Sequence, residues 1–217
     1  MSLNFKARRF LKGLDYGQDM RHQAWIGSFT PREQESLFLD GKTPPDIYET
    51  TIRAFRESAA AGAGPLDRAM YIYVKTYMTD DILTKVDRAS MANSLEVRAP
   101  FLDTDFTGFA SGVPSSFKLR NMKMKWILKE ALKGRLPADT LTKPKRGFAV
   151  PVAQWLKEDL RPLLVEAFSR KKIEREGIFD HRRIDSMARY FLNNRGDTRK
   201  EIWALFMFEI WYDKWMK

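Results

Sequence analysis

DDILTKVDRASMANSLEVRAPFLD, residues 80–103, opens as an amphipathic helix and closes as a proline-bearing loop. Helical phase puts Leu83, Val86 and Ser90 near one face and Asp80, Asp87 and Arg88 nearer another. The helical register must be given up before Pro100, because the ring of a proline pushes the preceding residue out of the α region. Asp81, Asp87, Arg88, Glu96, Arg98 and Asp103 crowd into this stretch, more polar groups than a plain core helix needs. Two readings fit that density. The carboxylates pave one wall of a site, or they close into a buried salt-bridge knot.

Outward from this stretch the chain reads as helix after helix. Thr30-Pro31-Arg32-Glu33 supplies a capping threonine, a proline at the first helical position and a glutamate at the third. Thr43-Pro44-Pro45-Asp46 repeats the device before a helix that runs to about Ala60. Gly62-Ala63-Gly64-Pro65 breaks the chain, and Pro65 starts a helix expected to reach about Met78. Asp80 then caps a helix to about Asn93. A short helix ends at Gly112, Val113–Ser116 is a turn, and a helix spans roughly Lys123 to Lys133.

Pro137 to Leu141 is a single turn, and Thr142 to Pro151 is a loop. Ala153 to Ser169 is helical with a break near Pro162. Asp180 caps a helix through Asn193. The last helix opens with a capping box, Thr198 and Glu201. Apolar residues from Ile202 to Trp215 ring it nearly all round, which predicts burial. Strand-period alternation never persists, and no Asn-Gly or Asp-Gly pair sits between two alternating runs. The expectation is an all-α fold, residues 1–217 forming a single helical domain.

Composition narrows the chemistry. The 217 residues contain no cysteine, which removes disulfides and thiolate metal sites and fits a reducing, cytoplasmic setting. No apolar run approaches a membrane span. His22 and His181 are isolated, so no metal site is expected. The sequence has no nucleophile elbow, Walker loop or dinucleotide fingerprint. The net charge of +10 is concentrated between Lys118 and Lys172, where fifteen Lys and Arg face five acids. Such a window suits polyphosphate, nucleic acid or an acidic partner, or simply a set of solvated helix faces. Within it, Thr142-Lys143-Pro144-Lys145-Arg146-Gly147-Phe148 gathers three cations on a loop shaped by proline and glycine. Such a loop can converge on an oxyanion.

The 80–103 stretch is followed by KWILKEAL (125–132), LPADTL (136–141) and KPKRGFAVPVAQWL (143–156). In that order they resemble the carboxy-terminal part of the asparagine synthetase family, over about Tyr73 to Leu156. Family members are glutamine-dependent amidotransferases. A glutaminase domain with a catalytic first cysteine releases ammonia, and a synthetase domain activates aspartate with ATP as an acyl-adenylate.

The resemblance implies the mostly helical carboxy-terminal portion of an adenine-nucleotide α-hydrolase-like synthetase domain. The Ser-Gly-Gly-x-Asp-Ser loop, the Gly-Asp-Gly-Gly-Asp-Glu stretch and the glutaminase domain are not in this sequence. A separated or truncated piece is therefore expected, inactive by itself.

By that resemblance Lys145 matches the family lysine that contacts pyrophosphate and stabilises adenylation and amide formation. Arg146 is an accompanying nucleotide-contacting cation. Asp81 falls at or beside the acidic residue of the same pocket. Asp87, Glu96, Arg98 and Asp103 match the signature and are expected to scaffold the turn after the helix, and Lys125 is a further in-pattern cation. ATP and Mg2+ are implied for the complete enzyme, with no tight binding to this piece. The implied partners are the rest of the synthetase domain, the glutaminase domain and a small-molecule substrate. Two alternatives remain: the same adenylation chemistry on a β-lactam, peptide or sugar precursor, or a basic helical module for RNA or protein.

Overall fold

The computed structural model describes residues 3–39, 47–144 and 150–216. The chain divides into two compact units, residues 1–49 with 148–217, and residues 50–147. The fold is mostly helical, as the patterning predicts.

At the amino terminus α1 (Leu3–Leu14) packs on α2 (Gln18–Ile26). The approach is close because Gly13 lacks a side chain: a Cβ there would sit 1.9 Å from the Trp25 indole nitrogen. That nitrogen donates to the Phe10 carbonyl (3.1 Å), and the Phe10 and Trp25 rings stack at 5.5 Å. α3 (Pro31–Glu35) starts with the capping box read from the sequence. Glu33 N donates to Thr30 Oγ1, and Thr30 N donates to Glu33 Oε2. The second start signal, Thr43 to Asp46, lies outside the described residues.

The unit of residues 50–147 is built on α4 (Glu49–Ala60) and α5 (Pro65–Tyr73). Its buried residues include Thr51, Ala54, Ser58, Ile72 and Thr76, which are mostly small or polar. The hydroxyls of Ser58 and Thr76 return to backbone carbonyls four residues earlier, so burial leaves neither unsatisfied. The helix does not stop for Asp80 to cap a new one. It continues from α5 through a π-helical segment, Val74–Leu83, into α6 (Thr84–Met91).

After a 3-10 turn at Pro100–Leu102 come α7 (Thr104–Gly112) and α8 (Ser115–Lys118). A two-residue hairpin follows, β1 (Leu119–Arg120) with β2 (Lys123–Met124). The sequence patterning does not predict it. Both tip residues, Asn121 and Met122, have positive φ (49° and 60°), the backbone such a turn requires, and a methionine gives no sign of it. α9 therefore begins at Trp126 rather than Lys123 and ends at Ala131, and α10 is Ala138–Thr142. Across this unit Asp67 accepts hydrogen bonds from Ser115 and from Lys118 (2.8 Å), and Lys118 also donates to the Ser111 carbonyl.

The remaining helices are α11 (Val152–Lys157), α12 (Arg161–Ala167), α13 (Arg170–Glu176), α14 (His181–Leu192) and α15 (Arg199–Trp215). The expected break near Pro162 falls just before it, and Pro162 occupies the first turn of α12. α15 touches α11, α12 and α14. Leu156, Leu164, Ile184, Phe191, Ile202, Leu205 and Phe206 form the centre of the core.

The strand-like residues 37–39 close this core from the amino-terminal side. Asp180 N donates to Leu37 O (2.8 Å), Leu39 N to Ile178 O (3.1 Å), and the Phe38 and Phe179 rings meet edge-on. Contrary to the all-round burial expected of it, α15 hides one face only. Met207, Ile210, Trp211 and Trp215 are exposed, and Thr198 makes no side-chain cap bond. Among the described residues no helix is long and apolar enough to cross a membrane.

Two outcomes follow from these contacts. Phe206→Ala should cost about 3–5 kcal/mol in urea unfolding, because the ring is almost wholly enclosed and its removal leaves a cavity in the core. Hydrogen bonds from Lys118 and Ser115 hold the Asp67 carboxyl below its ordinary value of 3.8. The stabilisation this supplies is complete above that value and is lost as pH falls through the depressed one. Acid unfolding of the 50–147 unit should therefore shift toward higher pH in Lys118→Met, and an unmoved acid midpoint would refute the clasp.

Candidate functional site

Asp80 and Asp81 belong to the π-helical segment, and threonines explain its register. Thr79 Oγ1 donates to the carbonyl of Val74 (2.7 Å) and Thr84 Oγ1 to that of Thr79 (2.9 Å), each reaching five residues back. Five-residue spacing is the repeat of a π-helix, so both hydroxyls bridge along the widened turn. The wider turn also alters which residues share a face. The α-helical phase assigned to residues 80–83 from the sequence does not apply there.

The polar residues of the 80–103 stretch lie in the open. Asp81 pairs with Lys85 at 3.4 Å, and both side chains are more than half exposed. Asp80, Asp87 and Arg88 are exposed. Glu96 and Arg98 pair at 2.7 Å in full view of solvent. The buried-knot reading therefore fails here, because no described carboxylate of this stretch is buried. Asp103 caps α7: its Oδ1 accepts from Asp105 N (3.1 Å) and Phe106 N (3.0 Å). Lys125 holds a left-handed backbone (φ 56°) immediately before α9, and its carbonyl accepts from Lys129 N. Lys145 and Arg146 lie outside the described residues, as do Gly147 and Phe148.

Exposed apolar side chains flank these carboxylates. Met91, Leu95, Val97, Phe101 and Phe109 are all more than half exposed. Exposed apolar groups at this density are what an interaction surface carries. Among the described residues no group of three or more His, Asp or Glu is placed to hold a metal ion. A cleft of about 1040 Å3 lies elsewhere, in the other unit, lined by Leu164, Phe168, Arg170, Asp185 and Arg189 among others. None of the described candidate residues borders it.

Sequence reasoning missed the π-register threonines and the Asp67–Ser115–Lys118 clasp. The clasp joins residues about fifty positions apart, and no local pattern announces such a pair.

Comparison with known proteins gives one consistent answer. Residues 4–213 match the family model described as asparagine synthase. Asparagine synthetase [glutamine-hydrolyzing] 1 of Bacillus subtilis is 30% identical over 168 residues, covering 76% of this chain and 25% of that protein. A putative asparagine synthetase [glutamine-hydrolyzing] of Mycobacterium bovis is 32% identical over 169 residues, covering 77% of this chain and 26% of that protein. Amidase chyE of Penicillium rubens is 29% identical over 123 residues, 54% of this chain and 18% of its own length. No solved structure matches. The chain thus spans about a quarter of the length of the synthetases it matches. With nearly all of its length inside the family match, the chain belongs to the asparagine synthase family.

Proposed function

We propose that this chain is the helical carboxy-terminal portion of a glutamine-dependent, asparagine synthetase-like ligase. The complete enzyme would adenylate a carboxylate, aspartate in the leading reading, and transfer glutamine-derived ammonia to it. The family match over residues 4–213 carries this reading. Support also comes from the relatives' names and from the apolar surface of residues 91–109. That surface suits burial against the rest of a synthetase domain.

In this reading Lys145 acts through charge. Its ammonium offsets the negative charge that grows on phosphate oxygens as the carboxylate attacks the α-phosphorus, and Arg146 adds a forked donor to the same phosphates. Asp81 lines the pocket wall and its exposure leaves it available to the substrate. Asp103 holds the turn after the helix by capping α7, while Glu96 and Arg98 pair on the connecting loop. ATP enters as a substrate.

A second reading keeps the adenylation chemistry and changes the acceptor, and the similarity to Amidase chyE favours considering it. The basic-module alternative has less behind it. The cations of residues 118–172 are divided between two units. Lys118, Lys133, Lys143, Arg170 and Lys172 are engaged with carboxylates.

Two experiments test the proposal. In the full-length enzyme that contains this segment, Lys145→Ala should lower synthetase turnover by about 10²–10³-fold and leave glutamine hydrolysis intact. Unchanged synthetase turnover would sink the assignment. Isothermal titration of this chain alone with ATP and magnesium should give no binding, and clean micromolar affinity would contradict the view that the phosphate grip lies elsewhere.

A further inference from the structure

A buried charge cluster does exist in this protein, in the unit of residues 1–49 and 148–217. Lys172 on α13 reaches across to α15, its Nζ 2.6 Å from Glu209 Oε2 and 3.0 Å from Asp213 Oδ2. Glu176, one turn further along α13, lies 3.9 Å from the same ammonium. The side chains of Glu209 (1% exposed), Glu176 (4%) and Lys172 (9%) are enclosed, whereas Asp213 (42%) is solvated.

The enclosed part thus holds two carboxyls and one ammonium. Fully ionised, it would bury an excess negative charge, a costly state that a protein relieves by retaining a proton. Nothing else described supplies the missing positive charge. α11, α12 and α14 meet α15 through apolar residues such as Leu156, Leu164, Ile184 and Phe191, and give Glu209 no ion-pair partner among the described residues. Oε1 of Glu209 and Oε1 of Glu176 are both buried and receive no hydrogen bond from a described donor. Both carboxyls converge on the one Lys172 ammonium, so a proton retained on either removes the excess negative charge.

We propose that Lys172, Glu176 and Glu209 form a proton-gated clamp between α13 and α15. The clamp is closed while one of the two buried carboxyls holds a proton, and it loosens when that proton leaves. The electrostatics agree. Burial pushes the Glu209 carboxyl up to about 7, Glu176 adding to the rise and Lys172 opposing it. Burial pulls Lys172 down, but its pairing with Glu209 and Asp213 outweighs this and leaves it above its ordinary value, charged throughout the relevant range.

The sign follows from linkage. A carboxyl raised in the folded state stabilises fully below its ordinary value of 4.5, and that stabilisation is lost as pH rises toward about 7. Asp67 in the other unit titrates below this window, so the two effects separate.

Denaturant unfolding of the whole chain between about pH 5 and about pH 8.5 tests the clamp. The folded-to-unfolded ratio of the 148–217 helices should fall on the order of 10²-fold across that range. Glu209→Gln, which mimics the protonated carboxyl, should flatten the profile, and Glu176→Gln should flatten it too by removing the second carboxyl. Parallel profiles in the wild type and Glu209→Gln would overturn the proposal. Infrared spectroscopy of the unaltered chain gives a readout independent of how the variants fold. A protonated carboxyl band at about pH 6 that disappears by about pH 8.5 supports the clamp, and no such band refutes it.

Discussion

Burial of one face of α15 is the constraint on which the carboxy-terminal half of the molecule depends. Ile202, Leu205 and Phe206 pack in the core that α15 shares with α11, α12 and α14. The same face carries Glu209, one turn beyond Leu205, at a depth where an unpaired carboxylate could not be tolerated. Lys172 answers it from α13. Apolar packing sets where α15 lies, and the charge pair fixes which part of α13 it must meet.

The unit of residues 50–147 follows a different rule. Its buried interior is made largely of small and polar side chains, and many of its large apolar residues, Phe101 and Phe109 among them, face outward. Hydroxyl-to-carbonyl bonds and the Asp67 clasp satisfy the polar groups of this interior. The π-helical turn at residues 74–83 fits this pattern. Widening a helix weakens its backbone bonding, and two threonines offset that locally while Asp80 and Asp81 stay in the open.

Local chemistry was legible where neighbouring residues decide it. The Thr30–Glu33 box formed as read, because cap and partner lie three residues apart. Asp103 caps α7 through bonds to amides two and three residues on, a contact equally local. The π-turn was not legible, since threonines at 79 and 84 suit an α-helix equally well. Nor was the hairpin, whose second tip residue is a methionine at positive φ. The catalytic cation assigned by resemblance, Lys145, lies outside the described residues, so its place in the site rests on family membership.

The sequence by itself determined the helical class, the caps at Thr30 and Asp180 and, through motifs in order along residues 73–156, the family. Only the tertiary structure decided the fate of the charges. The carboxylates of residues 80–103 invited a buried knot and are solvated, while Lys172, last member of a basic window that suggested solvated faces, is enclosed. The physical reason is that burial belongs to the neighbours a side chain acquires. Lys172 and Glu209 are 37 positions apart, and no periodicity on either helix says that the other will be there.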